Sequence, residues 1–532
     1  LLALAGFAPS FDSLRFLAVG AAGLLLGVII AHVANVLRSP WFVLVLLTIV
    51  AFFLFGGVLT LTRETLFGIP TPHSLKALLD VTVAGWKELL TTLPPVPGDG
   101  QLLVLPYLLG LLAGVLAFAL ARRVRRPFPP VMVMALLLAT VISLGTLQPA
   151  SSLLGLAVAI IGALWAAVRH RRLLQVVGTG TSRRSQGMLT AGLIAVAVAG
   201  GYTLGGHLPG VDTGRRQVLR TYVEPPFDVT QFPSPLVGFR KYTRDVKLLW
   251  DQRLFTVAGA KAGQRVRIAV LDDYSGTVWG ASPPSTGDHS GFRRVGRTVG
   301  SVPQADGEHA TVEITIAPAY AGLADASLWV PGVGYAEELT FAGPRAAELA
   351  EAVRYDTTTG QAVLSRRLQA GDGVRSVDVT LREVPKDFEP SGDLTLSADA
   401  VAFVAASAAR LGEKRPQAWE QVQAVASALR ARGAYSDGTK SGERHYLPGH
   451  SVSRIGAFLK SDQPVGNDEQ YASAFALMAT SLGVPSRVVL GGITAEDGSV
   501  SGSGVRAWVE VHGANGGWYT VPETTFMPDR TK

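Results

Sequence analysis

The 532 residues carry 48 Lys and Arg against 41 Asp and Glu, a formal net charge of +7, with 48% hydrophobic residues and no cysteine. The missing cysteine excludes disulfides, thiolate metal sites and cysteine nucleophiles within these residues. The apolar residues crowd into the first two hundred positions in runs of spanning length, which excludes an ordinary soluble chain.

Leu1–Ala8 reads as the end of a truncated first span. About 20 apolar residues cross the ~30 Å hydrocarbon layer as a helix. Six full spans meet that requirement: Phe16–Val36, Trp41–Leu61, Gln101–Leu120, Pro129–Leu147, Ser152–Val168 and Met188–Gly206. None contains Asp, Glu, Lys or Arg, and His32 is the one histidine inside them. Ion-coupled transporters keep ionisable groups at membrane depth to hold the ion or relay the proton. The composition therefore argues against a transporter or channel.

Between the second and third spans, Leu75, Leu78, Leu79, Val83, Trp86, Leu89 and Leu90 recur at helical spacing up to Leu93-Pro94-Pro95. This predicts an amphipathic helix, lying on the outer membrane face or packed on a soluble domain. Arginines orient the spans, because basic residues in short loops stay on the cytoplasmic side. Arg122, Arg123, Arg125 and Arg126 follow the third span, and Arg169, Arg171, Arg172, Arg183 and Arg184 separate the fifth from the sixth. Everything past about Gly206 is then extracytoplasmic. These arginines outnumber the whole positive excess, so no basic surplus points to nucleic acid.

The segment 207–390 holds short alternating or β-branched runs, including Arg265–Leu271, Ala310–Ile316 and Ser376–Leu381, split by Gly, Pro, Asp and Ser. A β-rich, sandwich-like module is expected. Asp272 and Asp273 are adjacent on a strand end and so point to opposite faces, which suits a turn rather than a paired-carboxylate site.

From 391 to 532 the pattern turns to helices and then strands. Ser397 is placed to cap Ala398–Leu411, and a second helix buries Trp419, Val422, Val425 and Leu429 before Gly433. A third helix follows Asn467, with Gln470 completing a capping box and Tyr471, Phe475, Met478 and Leu482 on one apolar face. The strand Ser486–Leu490 and a hairpin of Val505–Val511 with Trp518–Thr524 complete an α+β core, in which Arg506, Trp508 and Glu510 share one face.

This arrangement resembles the transglutaminase-like superfamily, and within it the bacterial, membrane-anchored TgpA-type group, in which polytopic N-terminal spans precede an external, papain-like core. The resemblance rests on Gly466, Tyr471-Ala472, Leu482-Gly483-Val484-Pro485, Ala507-Trp508, Glu510-Val511 and Trp518, and on Asp273–Trp279 earlier in the chain. The group's pattern is Gly-x-Cys-x-x-Tyr/Phe-Ala, then His-Ala-Trp-x-Glu-Val, then Trp-x-x-x-Asp-Pro-Thr. Carried across, the cysteine falls on Asp468, the histidine on Arg506 and the aspartate on Pro522.

Thiol acyl transfer needs a thiolate, a base titrating near neutrality and a carboxylate fixing the base's tautomer. Aspartate forms no thioester, arginine keeps its proton, and proline has no side-chain oxygen. Nothing nearby substitutes. His512 is six residues from Arg506, roughly 20 Å along a strand, and His445 and His450, conceivable as metal ligands with Asp468, have an unspecific loop spacing that suits a solvated loop role.

Asp468 and Arg506 carry the signs of a thiolate–imidazolium pair as permanent charges. A salt bridge between them is expected; the alternative leaves Asp468 serving the helix N-terminus and Arg506 solvated. Tyr471, Trp508, Glu510 and Trp518 are candidates for lining a surviving groove.

The expectation is a catalytically inactive, transglutaminase-like protein of the cell envelope, multi-pass in the plasma (inner) membrane. It would need no cofactor or metal, and it would bind a protein, peptide or peptidoglycan partner or scaffold an envelope complex. The alternative is an active amidase, peptidase or transamidase with a non-standard site. The resemblance also implies partnership with a MoxR-type ATPase and a von Willebrand-like protein, through cytoplasmic loops or a tail.

Overall fold

The computed structural model describes residues 1–61, 71–124, 126, 128–151, 153–175, 218–223, 227–244, 246, 248–283, 291–299, 307–393 and 396–530. The chain forms two compact units, one of Leu1–Glu224 and one of Pro225–Ser285 with His289–Lys532.

The first unit is helical: α1 (Arg15–Val36), α2 (Trp41–Thr60), α3 (Pro72–Thr91), α4 (Val104–Arg123), α5 (Phe128–Leu144) and α6 (Leu153–Gln175). Three helical stretches, Arg15–Val36, Trp41–Thr60 and Gln101–Arg123, are long and apolar enough to cross a membrane. The fourth and fifth expected spans appear as shorter apolar helices, and Met188–Gly206 lies outside the described residues. Phe42, Leu46, Val50 and Leu54 are exposed along α2, as side chains facing hydrocarbon would be.

In lipid, helices gain little from apolar burial and associate by close backbone approach. Glycines permit that between α1 and α4. A Cβ on Gly23 would stand 2.4 Å from the Tyr107 carbonyl oxygen, and one on Gly110 would stand 2.2 Å from that of Gly20. The amphipathic helix α3 starts with a capping box between Thr71 and Ser74. It packs on α2 and α4 through buried Leu78, Val81 and Leu89, leaving Leu79 and Val83 exposed.

The second unit contains β1 (Arg253–Ala258), β2 (Arg265–Leu271), β3 (His309–Ile316), β4 (Gly334–Ala342) and β5 (Gly373–Thr380). Then come α7 (Ala398–Leu411), α8 (Ala418–Arg432), α9 (Val452–Lys460), α10 (Asp468–Ser481), β6 (Ser486–Ile493), β7 (Ser499–Ser501), β8 (Val505–His512), β9 (Trp518–Val521) and α11 (Glu523–Phe526). One sheet runs β7-β1-β3-β5-β4 and another β9-β8-β6-β2.

The boundary expected near residue 390 therefore passes through shared sheets. β2 pairs antiparallel with β6, Val489 opposite Val270, and β7 pairs with β1, Val500 opposite Phe255. Backbone donors at the edges of β6 and β1 find partners more than two hundred residues away, and these pairings join the β-rich segment to the transglutaminase-like core.

Candidate functional site

The first turn of α10 carries the site. Asn467 accepts the Glu469 N–H at 3.0 Å, and its own N–H donates to Gln470 Oε1 at 3.0 Å, so the helix starts with its end groups satisfied. The sequence pattern gives α10 one apolar face, yet every residue from Asp468 to Thr480 is buried. Polar groups on the other faces must then find partners inside the protein.

Asp468 is fully buried, and its partner is Arg530. Oδ2 accepts Arg530 Nη2 at 2.8 Å and Nε at 3.2 Å, and the Tyr435 hydroxyl donates to the same oxygen at 3.2 Å. Oδ1 is buried with no hydrogen-bond partner among the described residues. Burial, reinforced by Asp468, pushes the Tyr435 hydroxyl well above its ordinary range. Burial opposes the Arg530 charge as well, but Asp468 and Tyr435 outweigh it and hold that guanidinium above its ordinary value.

The expected Asp468–Arg506 salt bridge does not form. Arg506 bends back along its own strand end, its Nη1 donating to the Ser503 and Val505 carbonyls at 3.0 and 2.9 Å. Its Nε faces Glu523 Oε1 at 3.8 Å, while Arg265 takes Glu523 Oε2 at 2.8 Å. Arg530 also reaches the Val505 carbonyl at 3.2 Å, so the two guanidiniums share an acceptor and Arg530 stands where Arg506 would have met Asp468. Pro522 is the N-cap of α11. The three mapped positions thus converge around a row of charges, with Glu523, one residue past Pro522, supplying the carboxylate on that side.

A cleft of about 310 Å³ opens beside this row, lined by Arg430, Arg506, Glu523, Thr524, Met527, Pro528, Asp529 and Arg530. Phe526 stacks on Phe475 with ring centroids 4.5 Å apart and fixes α11 against α10.

None of the four groove candidates lines this cleft. Tyr471 is fully buried and donates to the Pro464 carbonyl at 2.8 Å. Trp508 is 1% exposed beneath the Arg265 guanidinium. Glu510 is locked to Arg487, whose guanidinium carbon lies 3.8 Å from the Trp518 ring centroid. Large aromatics and a paired charge on a central sheet fill the interior instead of walling a groove.

His450 is fully buried in a different pairing. Its Nε2 accepts the Trp279 N–H at 2.7 Å, so Nδ1 carries the proton and donates to Glu469 Oε1 at 2.8 Å. With both nitrogens engaged it is no free base. His512 stacks on Trp518, and His445 lies against Tyr446. Asp272 accepts the Ser282 N–H at 2.7 Å and the Ser282 hydroxyl at 2.9 Å, and Asp273 pairs opposite Gly280 in a tight hairpin. Among the described residues no three His, Asp or Glu side chains converge as a metal site.

Residues 405–522 match the transglutaminase-like superfamily, and residues 1–366 match the TgpA N-terminal domain, more than half of the chain. The chain belongs to the TgpA family. Two crystal structures of the periplasmic domain of TgpA from Pseudomonas aeruginosa are similar to it. The one bound to ethylmercury is 16% identical over 55% of this chain and 95% of that one, with a TM-score of 0.35. The other is 17% identical over 55% and 92%, with a TM-score of 0.36. No curated protein matches the chain.

Sequence reasoning missed Arg530, Glu523 and Tyr435 in this TgpA-family site. Only Glu523 left a signal, since Pro522-Glu523 stands where the family has Asp-Pro.

Proposed function

We propose that this TgpA-family chain is a catalytically inactive, transglutaminase-like protein of the cell envelope that binds a protein, peptide or peptidoglycan partner or scaffolds an envelope complex. The observation that carries the reading is the Asp468–Arg530 pair: the position that resemblance gives to the nucleophile holds a buried carboxylate closed by a guanidinium. A carboxylate in such a pair forms no thioester and has no base beside it, since Arg506 and Arg530 keep their protons. The buried His450–Glu469 pair gives no support to an active enzyme with another base, because both imidazole nitrogens are occupied.

Arginine placement after the spans supports a plasma (inner) membrane location with the second unit outside, held by several passes. On this reading the core is papain-like, and a MoxR-type ATPase and a von Willebrand-like protein are candidate partners. The test uses the full chain purified in detergent. Amide hydrolysis and amine exchange are measured beside the triple variant Asp468→Cys, Arg506→His, Pro522→Asp. No turnover by the unaltered chain is expected, and turnover above a heat-denatured control would overturn the reading.

A further inference from the structure

The cleft beside the mapped triad has a charge arrangement that the inactive reading leaves unused. Three guanidiniums line it against two carboxylates. Arg530 is engaged by Asp468, and Glu523 is engaged by Arg265. Arg430 is exposed on α8 and meets no hydrogen-bond or ion-pair partner among the described residues. Arg506 uses Nη1 on backbone carbonyls and stands beyond hydrogen-bond reach of Glu523. Arg430 is thus without an ion-pair partner among the described residues, and Arg506 has only the long 3.8 Å contact with a Glu523 carboxylate that Arg265 holds at 2.8 Å.

We infer that this cleft binds the carboxylate of a peptide, taken by the guanidinium edges of Arg506 and Arg430, with Met527 and Pro528 against the adjoining side chain; the inference rests on the inactive-binder reading. The reasons are chemical. A guanidinium presents a planar fork of donors that matches a carboxylate. The lining carries one positive charge in excess, which suits a monoanion. Glu523 and Asp529 in the same wall repel a phosphate dianion or a polyanion. Met527 and Pro528 supply the apolar surface that a peptide residue needs and an inorganic ion does not. The volume fits one terminal residue and part of the next.

The donated carboxylate comes from a chain terminus or from an acidic side chain, and calorimetry on the full chain in detergent separates the two. The probes are acetyl-Ala-Ala-Ala with a free C-terminal acid, the same peptide as its amide, and acetyl-Ala-Asp-Ala amide. Binding of at least one acid, about tenfold or more tighter than the neutral amide, is expected, and the acid that binds identifies the source. Arg506→Gln and Arg430→Gln should each weaken that binding about tenfold. Arg430 hydrogen-bonds nothing among the described residues, so its variant remains informative if Arg506→Gln fails to fold. Inorganic phosphate should not compete at concentrations where acetate does.

Equal binding of acid and amide, binding of neither, indifference to Arg430→Gln, or competition by phosphate as strong as by acetate would each overturn the inference. Mass spectrometry of the recovered peptides keeps the two ideas apart. Peptides returned intact but unbound sink only the cleft assignment, whereas cleaved or transferred peptides sink the inactive reading beneath it.

Discussion

Two buried arginine–carboxylate pairs in the second unit have the same chemistry and different surroundings. Arg487 and Glu510 face each other across β6 and β8 with Nη2 to Oε2 at 2.6 Å and Nε to Oε2 at 2.8 Å. Arg487 also donates to the Thr358 carbonyl and the Tyr335 hydroxyl and lies over Trp518. Arg267, on β2, stands 3.9 Å from the same carboxylate and donates to the Thr359, Gly334 and Gly360 carbonyls. Asp468 and Arg530, by contrast, leave one carboxylate oxygen without a partner among the described residues and border an open cleft. A cluster that ties five strands and a turn together is a fastener, whereas the second pair holds a carboxylate with a spare acceptor beside a cavity.

Breaking the fastener should have the largest effect. Arg487→Met strands Glu510 beside a cation 3.9 Å away, and loss of one partner from such a pair costs about 3–5 kcal/mol. Hydrogen exchange in the β6 and β8 peptides of the full chain should rise accordingly. An increase confined to the β8–β9 turn would show that the cluster carries no such load.

The same region predicts a pH dependence. Burial, with Asp356 adding to it, lifts the Asp272 carboxyl from 3.8 to about 6, against hydrogen bonds from Ser282 and the Arg487 charge. A raised carboxyl binds its proton more tightly in the folded state, so its contribution is fully present below pH 3.8 and lost as pH rises through about 6. The displacement converts to roughly 3 kcal/mol as an upper bound, because the residue is only partly buried. Protection of β2 should fall across that window and become flat in Asp272→Asn, which keeps the Ser282 contacts. A slope unchanged in the variant would move the titration elsewhere.

Arg530→Gln tests the other member of the comparison. The Arg530 side chain is 13% exposed, so water relieves part of the stranded Asp468 charge, and a loss of about 2–3 kcal/mol is expected. The double variant with Asp468→Asn should recover about 1 kcal/mol or more of the summed losses. Strict additivity would dissolve the pair.

What could be read in advance follows the range of each interaction. The Ser397 cap, the Asn467–Gln470 box and the buried face of α8 involve residues within a few positions of one another, and each appears where the pattern places it. β2 was legible as a strand but not as a neighbour of β6, because alternation gives a strand its faces and not its partner. Asp468 and Arg530 are 62 residues apart, and Arg530 follows the last strand in a tail with no periodicity. The seam between α1 and α4 escaped for a related reason: Gly20, Gly23, Gly110 and Gly114 are unremarkable small residues until two backbones meet at them.

The smallest effect is the one that separates site from scaffold most sharply. Arg506 donates to carbonyls of its own strand end, its side chain is 21% exposed, and Glu523 keeps Arg265 when Arg506 is gone. Arg506→Ala should therefore cost less than ~1 kcal/mol, the range of an exposed pair. Combined with Asp468→Ala it should be additive within about 0.5 kcal/mol, since the two side chains share no bond. A coupling of 1 kcal/mol or more would mean that Arg506 swings onto Asp468 and Arg530 is the bystander. Additivity would leave Arg506 with little part in stability and a guanidinium edge turned to the cleft, which is the state a ligand-binding arginine occupies before its ligand arrives.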